Sequence, residues 1–124
     1  MPSPSDRKYT DSHEWVKADG PTLTLGVTQH AVDQLTDVTY VEMKPAGTKV
    51  QAGAVIGEIE SVKATSDIYS PVAGEIVEVN KALSDDPSAL NADCYGKGWL
   101  VKIKAADTAP LNALKDGAAY DKSL

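Results

Sequence analysis

The chain has 124 residues and a formal net charge of -6, with 12 Lys and Arg against 18 Asp and Glu. This length suffices for one domain with a modest core. The acidic balance argues against nucleic-acid and anionic-lipid partners, and the lack of Phe argues against a base-stacking platform. No apolar run approaches the ~18 residues of a membrane span, so neither nucleic acid nor membrane is an expected partner.

Cysteine and histidine usage restricts the chemistry further. The single cysteine, Cys94, cannot form an intramolecular disulfide, and with 2 His it gives too few ligands for an ordinary zinc site. The N-terminus lacks the apolar core of a signal peptide and the Arg/Ser-rich character of a transit segment. We therefore expect a cytoplasmic bacterial protein, although a mature mitochondrial form would look the same.

The chain begins with polar, proline-containing residues 1–8, which predict a flexible N-terminal arm before a single domain over residues 9–124. Short runs with alternating apolar residues follow, which are typical of antiparallel strands. These runs occupy residues 22–27, 38–43, 55–60, 74–79 and 99–104. Their spacing predicts a mainly β fold, either a sandwich or a partly closed barrel.

Three short helices are predicted at the margins of this β-rich domain. The first runs from a Thr28 N-cap to about Leu35. The second opens at the Asp-Pro pair of residues 86–87, since proline suits the first helical position. The third is the C-terminal helix, which begins beside Pro110 and ends or kinks at Gly117.

Lys63 lies on the short link between two predicted strands, which places it at or beside a hairpin tip. Glu58, Glu60 and Asp67 surround it with negative charge, which favours the charged ammonium form. An ammonium group is a poor nucleophile, so this setting argues against Schiff-base catalysis. It fits a lysine that another enzyme modifies. The alternative is an ordinary solvated surface lysine.

Four segments carry a resemblance to a known family. Residues 60–76, ESVKATSDIYSPVAGEI, closely resemble the lipoylation segment of the glycine cleavage system H proteins. SHEWV at 12–16 resembles the N-terminal motif of that family, and GVTQHA at 26–31 resembles its first helix entry. NADCYGKGWLVKI at 91–103 resembles its C-terminal signature. The order of the motifs matches, and the resemblance covers about residues 8–120.

The resemblance implies a hybrid barrel-sandwich of antiparallel strands with short peripheral helices. It also implies a carrier that is not itself an enzyme, with lipoic acid joined by an amide bond to Lys63. The lipoyl arm would take an aminomethyl group from glycine decarboxylase (P protein) to aminomethyltransferase (T protein), a step of one-carbon metabolism. Dihydrolipoamide dehydrogenase (L protein) would reoxidise it. A lipoate ligase or a lipoyl/octanoyl transferase would attach the arm, and Glu58 and Glu60 would assist its docking.

The resemblance further implies that the loaded arm folds back onto the protein. The matching contact positions are Ser12, Glu14, His30 and Asp67. The two carboxylates suit a cationic amine, and shelter from water would slow its loss. Each position also has a plain structural alternative, namely a solvated or turn-capping carboxylate and a packing or capping histidine.

Other functions stay open at this stage. A biotin carrier would place methionines beside the lysine, whereas Val62 and Ala64 flank it here. A lipoyl domain of a 2-oxoacid dehydrogenase would be one module of a longer chain with Ala/Pro-rich linkers. A lipoyl-relay role and a non-catalytic adaptor are further alternatives. Cys94 departs from the proline that is usual in the family, and we interpret it as a buried thiol rather than a nucleophile paired with a histidine.

Overall fold

The structure, a computed structural model, describes Pro4 and residues 6–124. Residues 1–3 and 5 of the predicted N-terminal arm lie outside the described residues. Within the described part, the chain forms nine strands and a set of short helices. None of these helices has the length and apolar character that a bilayer crossing requires.

Two antiparallel sheets make up the fold, which confirms the predicted mainly β architecture. The larger sheet contains β1 (Lys8–Tyr9), β2 (Glu14–Asp19), β3 (Thr22–Val27), β5 (Lys49–Val50), β8 (Gly74–Val79) and β9 (Val101–Ala105). Its strands are ordered β1-β2-β3-β9-β8-β5. The smaller sheet contains β4 (Val38–Met43), β6 (Val55–Ser61) and β7 (Thr65–Tyr69), in the order β4-β6-β7.

A common apolar core lies between the two sheets. Alternation along each strand turns every second side chain inward. Leu23 and Leu25 of β3 are fully buried, and so is Ile59 of β6, in one contiguous cluster. Burial of such side chains stabilises the fold by roughly 25 cal/mol per Å² of apolar surface. The structure contains a strand in each of the five predicted regions. In the last of them, residues 99–104, the strand begins at Val101.

Short helices surround the sheets. They are α1 (Gln29–Leu35), α2 (Ala82–Asp85), α3 (Ser88–Ala92), a 3₁₀ helix (Ala109–Ala113) and α4 (Gly117–Ser123). The Thr28 hydroxyl accepts a hydrogen bond from the Ala31 N–H at 3.3 Å, which confirms the predicted N-cap of α1. The second predicted helix is α3, and it begins one residue after Pro87, which itself takes the N-cap position.

The C-terminal prediction is wrong at Gly117. Gly117 begins α4 instead of ending a helix that starts near Pro110. The backbones of Lys115 and Tyr9 exchange hydrogen bonds of 2.8 and 3.1 Å, so the chain is extended between the two helical segments. The Asp116 side chain then accepts from the N–H of Ala119 at 2.8 Å and caps a new helix.

An aromatic cluster joins both chain ends to the larger sheet. Tyr9, Trp15 and Tyr120 are its fully buried members. The Arg7 guanidinium lies 4.5 Å from the centre of the Trp15 ring and donates to the Tyr95 carbonyl at 2.9 Å. Arg7, at the end of the predicted arm, is thus fixed by a cation–π contact and a hydrogen bond.

Candidate functional site

Lys63 occupies the turn between β6 and β7, and its side chain is exposed. Ser61 fixes this turn from within. Its hydroxyl oxygen accepts from the N–H of Lys63 at 3.3 Å and of Ala64 at 3.0 Å. Its own N–H donates to the Ala64 carbonyl at 2.8 Å. These local bonds, and one longer bond from the Val62 N–H to the Asp37 carbonyl at 3.1 Å, hold the backbone that presents the lysine.

The outward surface of the smaller sheet is strongly acidic. Glu42 pairs with Glu58 across β4 and β6, and Glu58 pairs with Asp67 across β6 and β7. Glu60 projects from the same face of β6, next to the lysine turn. Loss of hydration, together with Glu60 and the other nearby carboxylates, raises the pKa of Glu58. We call these four residues the outer acidic face.

A groove of about 490 Å³ lies on the opposite side of the turn. It runs between the segment before β2, helix α1 and the start of β7. Its lining consists of Ser12, His13, His30, Ala31, Gln34, Leu35, Ala64 and Ser66. Because Ala64 follows Lys63 directly, the groove lies beside the lysine turn. We call it the turn groove.

Glu14 is a buried carboxylate at the junction of the two sheets, with a side chain that is only 1% exposed. One oxygen accepts from the hydroxyls of Thr10 and Ser12, each at 2.6 Å. The other accepts from the N–H of Tyr69, at the free edge of β7, at 3.3 Å. Burial raises the pKa of Glu14, and the three hydrogen bonds oppose that rise only in part.

A pair of histidines forms one wall of the turn groove. The ring centres of His13 and His30 are 4.6 Å apart. His13 has a positive φ of 69°, and its Nδ1 lies 2.6 Å from the hydroxyl of Tyr120. Sequence reasoning did not single out His13 as a site residue. Its only signal was membership of the SHEWV segment, because the contact with Tyr120 comes from the far end of the chain.

The structure brings together three of the four predicted arm contacts. Ser12 and His30 line the turn groove, and Ser12 also holds Glu14. Asp67 does not join them. It points outward from β7, whereas its neighbour Ser66 faces the turn groove. Among the described residues, Asp67 makes no hydrogen bond to the other three predicted contacts.

Cys94 is buried, which confirms its interpretation as an internal thiol. Burial raises its pKa to about 11, so the thiol stays protonated and unreactive at neutral pH. Its Sγ lies 3.6 Å from the amide oxygen of Gln29, and its carbonyl accepts from the Trp15 indole N–H at 2.9 Å.

An exposed lysine on a hairpin turn of a small two-sheet β domain, with a groove beside it, fits a swinging-arm carrier domain. Comparison with known proteins identifies which one. The family model for the glycine cleavage H-protein matches residues 7–124. The chain belongs to this family.

Individual relatives agree over almost the full length. The chain is 52% identical over 123 residues to a glycine cleavage system H protein of Burkholderia vietnamiensis, covering 98% of this chain and 96% of the relative. It is 47% identical over 124 residues to that of Methylacidiphilum infernorum, covering 100% and 97%. The crystal structure of a glycine cleavage system H protein from Mycobacterium marinum superposes with a TM-score of 0.89 at 37% identity, covering 97% of both chains.

Family membership establishes the biochemical role. The protein is a lipoyl carrier of the glycine cleavage system, and it is a carrier component rather than an enzyme. Its cofactor is a lipoyl group held on a lysine, and its partners are other components of that system. The residues present fit such a group, since Lys63 is exposed and a groove with polar and apolar walls opens beside it.

Proposed function

We propose that Lys63 carries the lipoyl group through an amide bond at Nζ. The observation that carries this proposal is the exposed lysine on a turn fixed by Ser61 beside the turn groove. The proposed route of the aminomethyl group runs from glycine decarboxylase to aminomethyltransferase, with dihydrolipoamide dehydrogenase as the third partner. When bound, the lipoyl group supplies a disulfide that is reduced as it accepts the aminomethyl group and is later reoxidised.

The hairpin gives the arm a fixed origin and free reach. Bonds within residues 61–64 hold the backbone, while the lysine side chain extends into solvent. A tether of this kind turns diffusion between active sites into encounters at high effective concentration. The protein therefore needs no nucleophile of its own, which agrees with the protonated state of the Cys94 thiol.

The turn groove and Glu14 form the proposed resting place of the loaded arm. Ser12 and His30 supply polar groups along the groove, and Glu14 supplies a carboxylate that burial has stripped of water. A protonated amine beside Glu14 would compensate that loss of hydration, so the site favours a cation. Asp67 would meet the arm only where it passes the free edge of β7.

The outer acidic face is the proposed docking surface for the lipoate ligase or lipoyl/octanoyl transferase. Glu58 and Glu60 lie on β6, which leads directly into the lysine turn. Their charges would steer a basic enzyme surface toward Lys63 and raise the association rate.

Incubation with lipoate ligase, lipoate and ATP, followed by intact mass and peptide mapping, tests the attachment site. We expect one lipoyl increment on Lys63, none in Lys63→Arg, and a normal increment in the matched variant Lys44→Arg. The modified protein should then support glycine–bicarbonate exchange by glycine decarboxylase. An increment on another lysine, or none on the folded wild type, would remove the proposal.

The same assay tests the docking surface. The double variant Glu58→Gln/Glu60→Gln should be lipoylated about tenfold more slowly at low salt, with the difference shrinking at high salt. Glu75→Gln/Glu78→Gln, on β8 of the larger sheet, removes the same charge elsewhere and should leave the rate unchanged. Equal rates for the two double variants would exclude recognition through the outer acidic face.

A further inference from the structure

The hydroxyl of Tyr120 joins the C-terminal helix to the turn groove. It lies 2.6 Å from Nδ1 of His13 and 2.7 Å from Oγ1 of Thr28. The Tyr120 side chain is only 1% exposed, and its ring stacks on Tyr9 with centres 4.9 Å apart. The position of this hydroxyl is therefore set by packing, and the carrier function described above makes no use of it.

The direction of the hydrogen bonds that link Thr28, Tyr120 and His13 follows from the acceptors available to each hydroxyl. Oγ1 of Thr28 already accepts the N–H of Ala31, and Thr28 is fully buried. Its own hydrogen must be donated, and in the described part of the chain the remaining partner is the Tyr120 oxygen. Tyr120 then donates its hydrogen to His13. Nδ1 of His13 is thus the acceptor, so in the neutral ring Nε2 carries the hydrogen.

The second nitrogen of His13 is open to the turn groove. His13 lines that groove, and within the described residues Nε2 has no hydrogen-bond partner. No buried side-chain nitrogen or oxygen among these residues lacks a partner, so Nε2 is accessible. It presents an N–H donor at the wall of the groove that begins beside Lys63.

The groups around His13 favour its neutral form. Burial lowers the pKa of His13, and the neighbouring His30 and Lys115 lower it further, while Asp11 opposes them. Tyr120 contacts the ring edge-on, with centres 5.7 Å apart. Nδ1 of His13 can accept the Tyr120 hydrogen only when the ring is neutral, because the imidazolium ion would donate from both nitrogens.

We propose that Tyr120 is a positioning residue that holds His13 in its Nε2–H tautomer, so that this N–H binds the amide carbonyl of the lipoyl arm. The inference rests on the proposed attachment at Lys63 and the resting place of the arm. In this arrangement, two different residues bind the two polar groups of the loaded arm. Glu14 accepts from the cationic amine, whereas His13 donates to a neutral carbonyl oxygen.

Nitrogen-15 NMR of the unmodified, histidine-labelled protein tests the tautomer directly. The wild type should show His13 protonated at Nε2 above its titration range. Tyr120→Phe keeps the ring and removes the donor, so the two tautomers should mix. Tyr9→Phe is the matched control, because its hydroxyl donates to the Pro4 carbonyl at 2.6 Å on another side of the ring stack. An Nδ1–H tautomer in the wild type, or an unchanged one in Tyr120→Phe, would overturn the proposal.

The contact with the arm has its own readout. In the lipoylated protein loaded with glycine and glycine decarboxylase, Tyr120→Phe should release the aminomethyl group to water about twofold faster, because in an even mixture of tautomers only about half of the His13 rings present the Nε2–H donor. Equal release from Tyr120→Phe and Tyr9→Phe would overturn the arm contact. Failure to lipoylate Lys63 would overturn the carrier site and the arm contact with it, but would leave the tautomer measured in unmodified protein standing.

Discussion

The lysine turn and the wall of the turn groove are built in opposite ways. The turn is held mainly by hydrogen bonds between residues no more than three apart, as between Ser61 and Ala64, with one long-range bond from the Val62 N–H to the Asp37 carbonyl. The wall depends on contacts across the chain. His13 lies 107 positions from Tyr120, and Glu14, which accepts from the Ser12 hydroxyl of the wall, lies 55 positions from Tyr69. The protein thus presents its attachment point with local bonds and shapes the site beside it through tertiary packing.

This difference separates two kinds of failure. The turn is exposed, so a change there alters presentation of the lysine with little effect on the core. The wall rests on the aromatic cluster through the contact of His13 with Tyr120, which is buried together with Trp15 and Tyr9. A change in that cluster therefore alters the free energy of unfolding as well as the groove.

The largest expected effect is that of Gly26→Ala. A Cβ at Gly26 would lie 2.5 Å from the Trp15 indole, which is held by its bond to the Cys94 carbonyl and by Arg7 above it. The ring cannot move without breaking those contacts, so we expect a loss of about 3 kcal/mol in the free energy of unfolding. Urea denaturation measures it. The turn counterpart, Val62→Ala, should change it by less than about 0.5 kcal/mol.

A similar loss in both variants would contradict the contrast between turn and wall. An unchanged Gly26→Ala midpoint would show that the indole has space elsewhere.

Ser61→Ala should have a smaller and local effect. The N–H groups of Lys63 and Ala64 lose their hydroxyl acceptor, at a cost of about 1 kcal/mol. Amide hydrogen exchange at these two positions should accelerate about fivefold while global unfolding changes little. Ser84→Ala, at an exposed position on α2, is the control. A global loss as large as that of Gly26→Ala would show that the turn is part of the core's cooperative unit.

Glu14→Gln tests the wall through pH and should give the smallest effect. Burial raises the pKa of folded Glu14 above its unfolded value of about 4.3, so the folded state binds this proton more tightly. The contribution of protonated Glu14 to stability is then fully present at a pH below the unfolded pKa. It is lost as the pH rises through the folded pKa.

Urea unfolding at several pH values measures the difference in stability between wild type and Glu14→Gln. As the pH rises, we expect the free energy of unfolding of the wild type to fall relative to that of Glu14→Gln. The opposite slope, or an NMR titration of Glu14 below the ordinary glutamate range, would show that its three hydrogen bonds outweigh burial.

Much of the fold was predictable because its signals are local. Alternation identified the strands around Leu25 and Ile59, since period two follows from the pleat of each strand itself. Thr28 was recognised as a cap because an N-cap acts within three residues of its own position. Lys63 could be placed on a turn for the same reason, and its motif lies within one hairpin.

The sequence by itself determined the β-rich class, the first helix and the family, together with an exposed lysine between two strands. Only the tertiary structure decided that Asp67 faces away from Ser12, since cross-strand neighbours fix the face of a sheet residue. Only it showed that Lys115 pairs with Tyr9, so that Gly117 starts a helix. The donor at His13 likewise depends on Tyr120, because burial and proton order are set by groups that meet only after folding.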